Sequence, residues 1–305
     1  MISLHHGTQT AEVDLCGGRV VSYSVAGREV LAAETGSPRS SYRSSLLAPW
    51  PNRVAGGRWT WDGEELALPV NEDPPGTSLH GLVAFAPFDV VSRLDREVRV
   101  GHDLEPSPGY PFLLRVEASY RLDADGLHCT VEALATGDRP TPVALGVHPY
   151  LLTRGPVDEV VLTIPAEQVL QGDERWEETG RTSVAGTADD YRQGRRVGAR
   201  EVDGCWTELA RDDGGRVRCE VRFPDGDEVE LWGGSTTRYV VAFTSHTLPG
   251  DLHRASIAVE PNTAPANALR SATDLDVLAP GRRLVLEWGL RPSWVSAVRG
   301  RSDPE

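Results

Sequence analysis

Two short segments hold the residues best suited to chemistry. Gly146-Val147-His148-Pro149-Tyr150 and Val259-Glu260-Pro261-Asn262 each place one proton-transfer side chain at the end of a β-like run, directly before a proline. His148 follows the apolar stretch from Pro142 to Val147, and Glu260 follows Ala255 to Val259. A proline cannot donate to a sheet ladder, and it drives the residue before it into extended geometry. Both side chains are therefore expected where a strand leaves its sheet, where a rigid scaffold can present reactive groups. A histidine and a carboxylate so placed make an acid/base pair. Opposite charges in one cleft favour a cationic His148 beside an ionised Glu260.

Further polar residues punctuate the chain. Pro49-Trp50-Pro51-Asn52-Arg53-Val54-Ala55-Gly56-Gly57 sets Asn52 and Arg53 between prolines and glycines. Ser78-Leu79-His80-Gly81-Leu82 puts a histidine before a glycine, and Val202-Asp203-Gly204-Cys205-Trp206 puts an aspartate three residues before a tryptophan. Taken singly, each has an ordinary structural explanation. A histidine near a strand end is usually a hydrogen-bonded framework residue. Glu260 could be a solvated strand end, Arg53 a surface ion pair, and Asp203 a turn former. Trp206 and Trp232 suit a core as well as they suit the C–H faces of sugars.

The elements that position these residues read as strands. Asp62-Gly63, Asp125-Gly126 and Asp225-Gly226 each separate two β-like segments, and Asp-Gly accepts the positive φ of a tight hairpin turn. Arg216 to Phe223 alternates polar and apolar residues like a half-buried strand, and Arg283 to Leu290 reads as a terminal one. Helical periodicity is scarce, with at most a single turn over 187–191. This pattern disfavours a doubly wound α/β fold and predicts a large antiparallel sandwich or barrel. The loops at 36–41, 71–77 and 180–187 read as surface loops. Residues 1–298 are expected to form one domain and 299–305 a polar, frayed tail.

Composition narrows the function. The 305 residues carry a formal charge of −14, and all 31 basic residues are arginine. The acidic balance argues against nucleic acid or an anionic membrane as partner. Without lysine there is neither Schiff-base chemistry nor a phosphate-loop lysine. Cys16, Cys129, Cys205 and Cys219 form no Cys-x-x-Cys pair, which disfavours a zinc knuckle or dithiol site and fits a reducing compartment. No basic segment followed by an apolar run opens the chain, and no run is long enough to span a membrane. A cytoplasmic location is expected.

The ordered set resembles the aldose 1-epimerases, or galactose mutarotases. The matching elements are Asn-Arg with glycine following at 52–57, Leu-His-Gly at 79–81, His-Pro-Tyr at 148–150 and Asp-x-x-aromatic at 203–206. Glu-Pro at 260–261 with Pro265 and Asn267, and Leu-x-Pro-Gly at 278–281, complete it. Leu82 stands where galactose-preferring members often carry a second glycine, so the chain looks like a divergent bacterial branch. The resemblance implies an all-β supersandwich of large twisted antiparallel sheets. It implies interconversion of the α and β anomers of a free aldohexose, with a small-molecule sugar as partner and no cofactor or metal. It also implies roles: Glu260 as base on the anomeric O1 hydroxyl, His148 as acid on the ring O5, and His80 as a hydrogen-bond donor near the ring oxygen. Arg53, Asn52 and Asp203 would hold sugar hydroxyls.

Three alternatives stand beside this reading. A hexose-6-phosphate mutarotase would use the same pair but needs converging cations, for which Arg28, Arg39, Arg43 and Arg58 are candidates. His80, His148 and Glu260 could instead form a two-histidine, one-carboxylate metal site. A carbohydrate-binding module could keep the cleft without turnover.

Overall fold

Alternation of apolar and polar side chains builds almost the entire molecule. A computed structural model describes residues 1–32, 41–74, 76–173 and 176–295. The Gly36–Ser41 loop, apart from Ser41, Arg39 and the tail from 299 to 305 lie outside the described residues. In the strand Leu114–Asp123 every second residue is buried, and Val116, Ala118, Tyr120 and Leu122 are fully so. That period of two gives one face to the core and leaves the other half-exposed.

Two large antiparallel sheets carry the architecture among the described residues. The first has nine strands. Leu114–Asp123, Gly126–Ala135, Arg283–Pro292, Glu228–Gly233 and Val217–Arg222 are neighbours at its centre. The second has eight, ordered Glu178–Ser183, Ala166–Gly172, Asp203–Leu209, Tyr239–Phe243, Ser256–Asn262, Gly146–Val147 and Leu46–Leu47, with Tyr150–Leu152 also on Ser256–Asn262. The buried faces meet in one extensive core containing Tyr120, Trp206, Leu231 and Trp288. Trp206 is therefore framework, and Trp232 is buried as well. The predicted all-β sandwich is what the chain forms.

The hairpin signals hold, with differences of detail. Arg58–Trp61 and Glu64–Ala67 join through Asp62 and Gly63, at φ of 51° and 81°, a tight two-residue turn. At Asp125-Gly126 the turn lies one residue earlier, because Asp123 pairs with Gly126 and Gly126 opens the next strand. At Asp225-Gly226 the loop runs over five residues, closed by Phe223 N–H donating to Asp227 O. The terminal strand extends to Pro292 and lies at the centre of the nine-stranded sheet. Residues 187–191 hold a bend and a turn but no helix, and the one α-helix among the described residues is Ala268–Ser271.

A smaller apolar cluster of Trp50, Val54, Trp59, Tyr110 and Phe112 supports the segment carrying Asn52 and Arg53. Beside it, Gly81 has a φ of 74°, and a Cβ there would stand 2.1 Å from Ala48 O. Gly81→Ala is expected to destabilise the protein by at least about 2 kcal/mol, since both strain and backbone overlap oppose it. Denaturant unfolding at neutral pH measures this directly.

Candidate active site

Strand register alone puts His148 beside Glu260. Gly146 pairs with Asn262 and Tyr150 with Ala258, so residue 148 falls opposite residue 260 across a gap in the ladder. Directly opposed residues have neighbouring side chains on one sheet face. The result is His148 Nε2 at 3.2 Å from Glu260 Oε1, with both residues buried. The histidine backbone is fixed from the other side: Ser44 N–H donates to His148 O, and His148 N–H donates to Ser45 O.

One expectation fails here in an informative way. Glu260 does not mark a strand end; its strand runs on through Pro261 to Asn262. Val259 and Thr263 donate their N–H groups to Pro149 O and Leu145 O. The donor that Pro261 lacks would point to the same side, between those two bonds. The proline is thus tolerated inside the strand because that ladder is already interrupted. His148 does lie between two strands, as expected, although the apolar run before it is split into Thr141–Val143 and Gly146–Val147.

The expected charge state is also corrected. Burial pushes the His148 imidazole down to about 3, helped by the positive charges of Arg43 and Arg53 and opposed by its own backbone carbonyl. Burial likewise drives the Glu260 carboxyl well above its ordinary range, and the Asp203 charge adds to this while Arg53 opposes it. The geometry would suit an ion pair, but desolvation outweighs the attraction of opposite charges. Both shifts run toward the neutral form of each group, so burial opposes the expected ion pair. Glu260 Oε2 is buried without a hydrogen-bond partner.

The other predicted residues surround this pair. His80 N–H donates to Asn52 O, and Asn52 N–H donates to His80 Nδ1, so the ring proton of neutral His80 sits on Nε2. Burial above all lowers His80 well below the usual histidine range, and the electrostatics of the nearby His148 ring and Arg53 act in the same direction. Its ring meets His148 edge-on at 5.2 Å. Asn52 Oδ1 accepts from Arg53 N–H, and Asn52 lines the cleft. Asp203 is open to the water of the cleft yet surrounded by protein; burial raises its carboxyl, opposed by Arg53 and His246. Asn52, Arg53, His80, His148, Asp203 and Glu260 all line one cavity of about 440 Å³. Such a volume lies in the usual range for a small-ligand site.

Some of the other participants were invisible to sequence reading. Glu72 receives Arg53 Nε at 2.8 Å and Nη2 at 2.7 Å, a bidentate clamp. Burial works against the Glu72 charge, but the hydrogen bonds from Arg53 and Thr77 outweigh it and hold its carboxyl below the ordinary range. Arg53 also lies 4.2 Å over the ring of Trp176. Asn267 ties these parts together, accepting from Ala55 N–H and donating to Trp176 O. Tyr150 stacks on His148 at 4.7 Å and 11°, and the buried Arg43 guanidinium lies 4.7 Å from the same ring. Tyr150 and Asn267 carried a signal as members of the His-Pro-Tyr and Glu-Pro elements, and Arg43 was a candidate phosphate ligand; Glu72 and Trp176 carried none.

Arg28 and Arg58 lie elsewhere: Arg28 pairs with Asp225 and Asp227, and Arg58 with Glu65. Among the described residues, no group of three or more His, Cys, Asp or Glu side chains is placed to hold a metal ion.

Comparison with known proteins places this geometry in a family. The family model for aldose 1-epimerase matches residues 1–291. The chain belongs to the aldose 1-epimerase family. It is 30% identical over 244 residues to the uncharacterized protein YihR of Escherichia coli, covering 79% of this chain and 76% of that one. It is 36% identical over 172 residues to the galactose mutarotase of Rattus norvegicus, covering 52% of this chain and 48% of the relative. The match therefore spans about half the length of that mutarotase. In fold it resembles an aldose epimerase homologue from C. elegans, with a TM-score of 0.84 at 17% identity over 96% of this chain and 98% of that one. It also resembles a galactose 1-epimerase from Lactobacillus acidophilus, with a TM-score of 0.78 at 19% identity over 95% and 93% of the two chains. Among the described residues, no helix is long and apolar enough to cross a membrane.

Proposed function

We propose that this member of the family is an aldose 1-epimerase acting on an unphosphorylated aldose. The observation that carries the reading is the 3.2 Å contact between His148 Nε2 and Glu260 Oε1, two side chains that line the same cavity. That pair combines a proton donor with a proton acceptor, which ring opening requires.

The chemistry runs as two coupled proton transfers. Passing the Glu260 proton along the contact gives a carboxylate and an imidazolium. Glu260 removes the O1 proton of the sugar, and the O1 electrons form the C1=O1 carbonyl. The C1–O5 bond breaks, and O5 takes the proton from His148. Rotation about C1–C2 presents the other carbonyl face, and O5 attacks it while His148 recovers its proton and Glu260 returns the other to O1. Each cycle leaves the enzyme unchanged, so no redox partner enters. After the first transfer Glu260 is protonated and His148 neutral, the state that burial favours. His80 donates from Nε2 near the ring oxygen. Arg53, braced by Glu72, binds hydroxyls together with Asn52 and Asp203.

Charge distribution supports a free sugar. Arg28 and Arg58 are paired on the outside, Arg43 is buried beside Tyr150, and Arg53 is committed to Glu72. A phosphoryl group would meet Asp203 and Glu72 without a free cluster of cations among the described residues. Anomeric exchange, followed by NMR, should therefore be accelerated for glucose or galactose at least about tenfold more than for glucose 6-phosphate. A preference for the phosphorylated sugar would overturn this reading of the substrate. Chelator in the same assay should leave the rate unchanged.

The pH profile follows from the pair as a unit. The active pair carries one proton. A second proton reaches His148 only near its depressed value of about 3, and the remaining proton leaves only above the ordinary carboxylate range. Below the Glu260 titration the profile of kcat/KM is expected to stay flat as the pH falls through the range where a free histidine titrates, dropping only toward the depressed His148 value of about 3. Activity lost as the pH falls through about 6.5 would contradict the depressed titration of His148.

A further inference from the structure

Asn267 joins two walls of the cleft at the level of the backbone. It follows the strand Ser256–Asn262, is 3% exposed and has a φ of 59°, a left-handed geometry that asparagine adopts more readily than most residues. Its carbonyl accepts from Arg270 and Ser271 N–H and so opens the helix Ala268–Ser271. Its other polar groups reach two remote segments. Asn267 N–H donates to Arg53 O at 2.6 Å, Oδ1 accepts from Ala55 N–H at 2.7 Å, and Nδ2 donates to Trp176 O at 2.7 Å.

Those segments carry two groups that meet in the cleft. The Arg53 guanidinium lies over the Trp176 indole, and both residues line the catalytic cavity, whereas Asn267 does not. Glu72 takes the Nε–Nη2 edge of the guanidinium. An edge clamp leaves a planar group able to tilt about the clamped side, and a ring against its face removes that freedom. The indole serves this purpose only while its own backbone is fixed. Trp176 has a φ of 61°, uncommon for a bulky residue and kept only where the surroundings impose it. Its N–H donates to Asp173 O within its own segment, and its carbonyl is held by Asn267.

We propose that Asn267 is a positioning residue for substrate binding: by tying Trp176 to the strand Arg53–Ala55, it fixes the plane in which the Arg53 guanidinium meets sugar hydroxyls. The proposal rests on the epimerase reading above, in which Arg53 binds hydroxyls that take no part in ring opening. Such hydroxyls are held equally in the ground state and the transition state, so loosening their donor acts on KM rather than on kcat. A role in overall stability alone would do the reverse. It would lower the fraction of active protein, and with it the apparent kcat, while KM stayed the same.

The test is the kinetics of anomeric exchange for glucose and galactose in Asn267→Gly. Glycine accepts the left-handed φ, keeps the backbone bond to Arg53 O and deletes both side-chain bonds. KM should rise about tenfold or more, with kcat within about threefold of wild type. In an Arg53→Lys background, which lacks the planar fork, the same change should cost less than about threefold in kcat/KM. Asn267→Asp serves if the glycine variant does not fold. At about pH 8 it keeps an acceptor for Ala55 N–H but sets a carboxylate against the Trp176 carbonyl, so its KM should rise as well. An unchanged KM in either folded variant, a loss confined to kcat, or the same full loss in the Arg53→Lys background would overturn the proposal while leaving the epimerase reading intact. No acceleration of either sugar by the wild-type protein would instead remove that reading, and this proposal with it.

Discussion

Glu260→Gln is expected to lower turnover by about 10³-fold or more while the protein folds normally. Glutamine has nearly the same shape, and its amide can still meet His148 Nε2, but it cannot take a proton from O1. The neutral state of the pair sharpens the expectation. Removing one partner of a buried ion pair strands a charge and is strongly destabilising. Removing the acid from a neutral pair strands none, so the melting temperature should move by only a few degrees. Exchange rates and thermal unfolding on the same preparation test both parts. Wild-type turnover in the variant would exclude Glu260 as the base, and a collapse in stability would indicate that the pair is ionic after all.

His148→Asn should cost about 10²–10⁴-fold in turnover, because asparagine can donate a hydrogen bond but cannot deliver a proton. A measurable loss of stability should accompany it. The imidazole stacks on Tyr150 and meets His80 edge-on, and the smaller amide leaves part of that space empty. A cost of about 1–3 kcal/mol is reasonable for a truncation of this kind. The two variants should also be strongly non-additive, since groups that act as one unit are disabled together. A double variant that is slower by the product of the two single effects would contradict a shared proton path.

The fold was legible in the sequence wherever local chemistry decides it. Asp62-Gly63 can hardly be anything but a tight turn, and the alternation in 216–223 reports one buried face. The two residues that the cleft brings together could be picked out too, because His148 and Glu260 each interrupt an apolar run before a proline. Their adjacency was not. It follows from ladder pairs at Gly146 and Tyr150, which are set by long-range register. The position of Pro261 inside a strand was missed for the same reason: its missing donor matters only if a ladder partner is waiting, and here that ladder is broken. Glu72 and Trp176 carry no local mark, since each gains its place from contact with Arg53. The charge state was misjudged because charge attraction can be guessed from residue types, whereas burial cannot. Arg43 shows the same limit: as a residue type it suggests a phosphate ligand, yet the fold buries it beside Tyr150.

The most direct test of the central claim is polarimetry of freshly dissolved α-D-glucose and α-D-galactose, with and without the protein, in buffer containing a chelator. Relaxation to the same final rotation, accelerated in proportion to protein concentration and lost in Glu260→Gln, is the predicted result. An unchanged relaxation rate for both sugars, with folded protein in excess over trace contaminants, would contradict it.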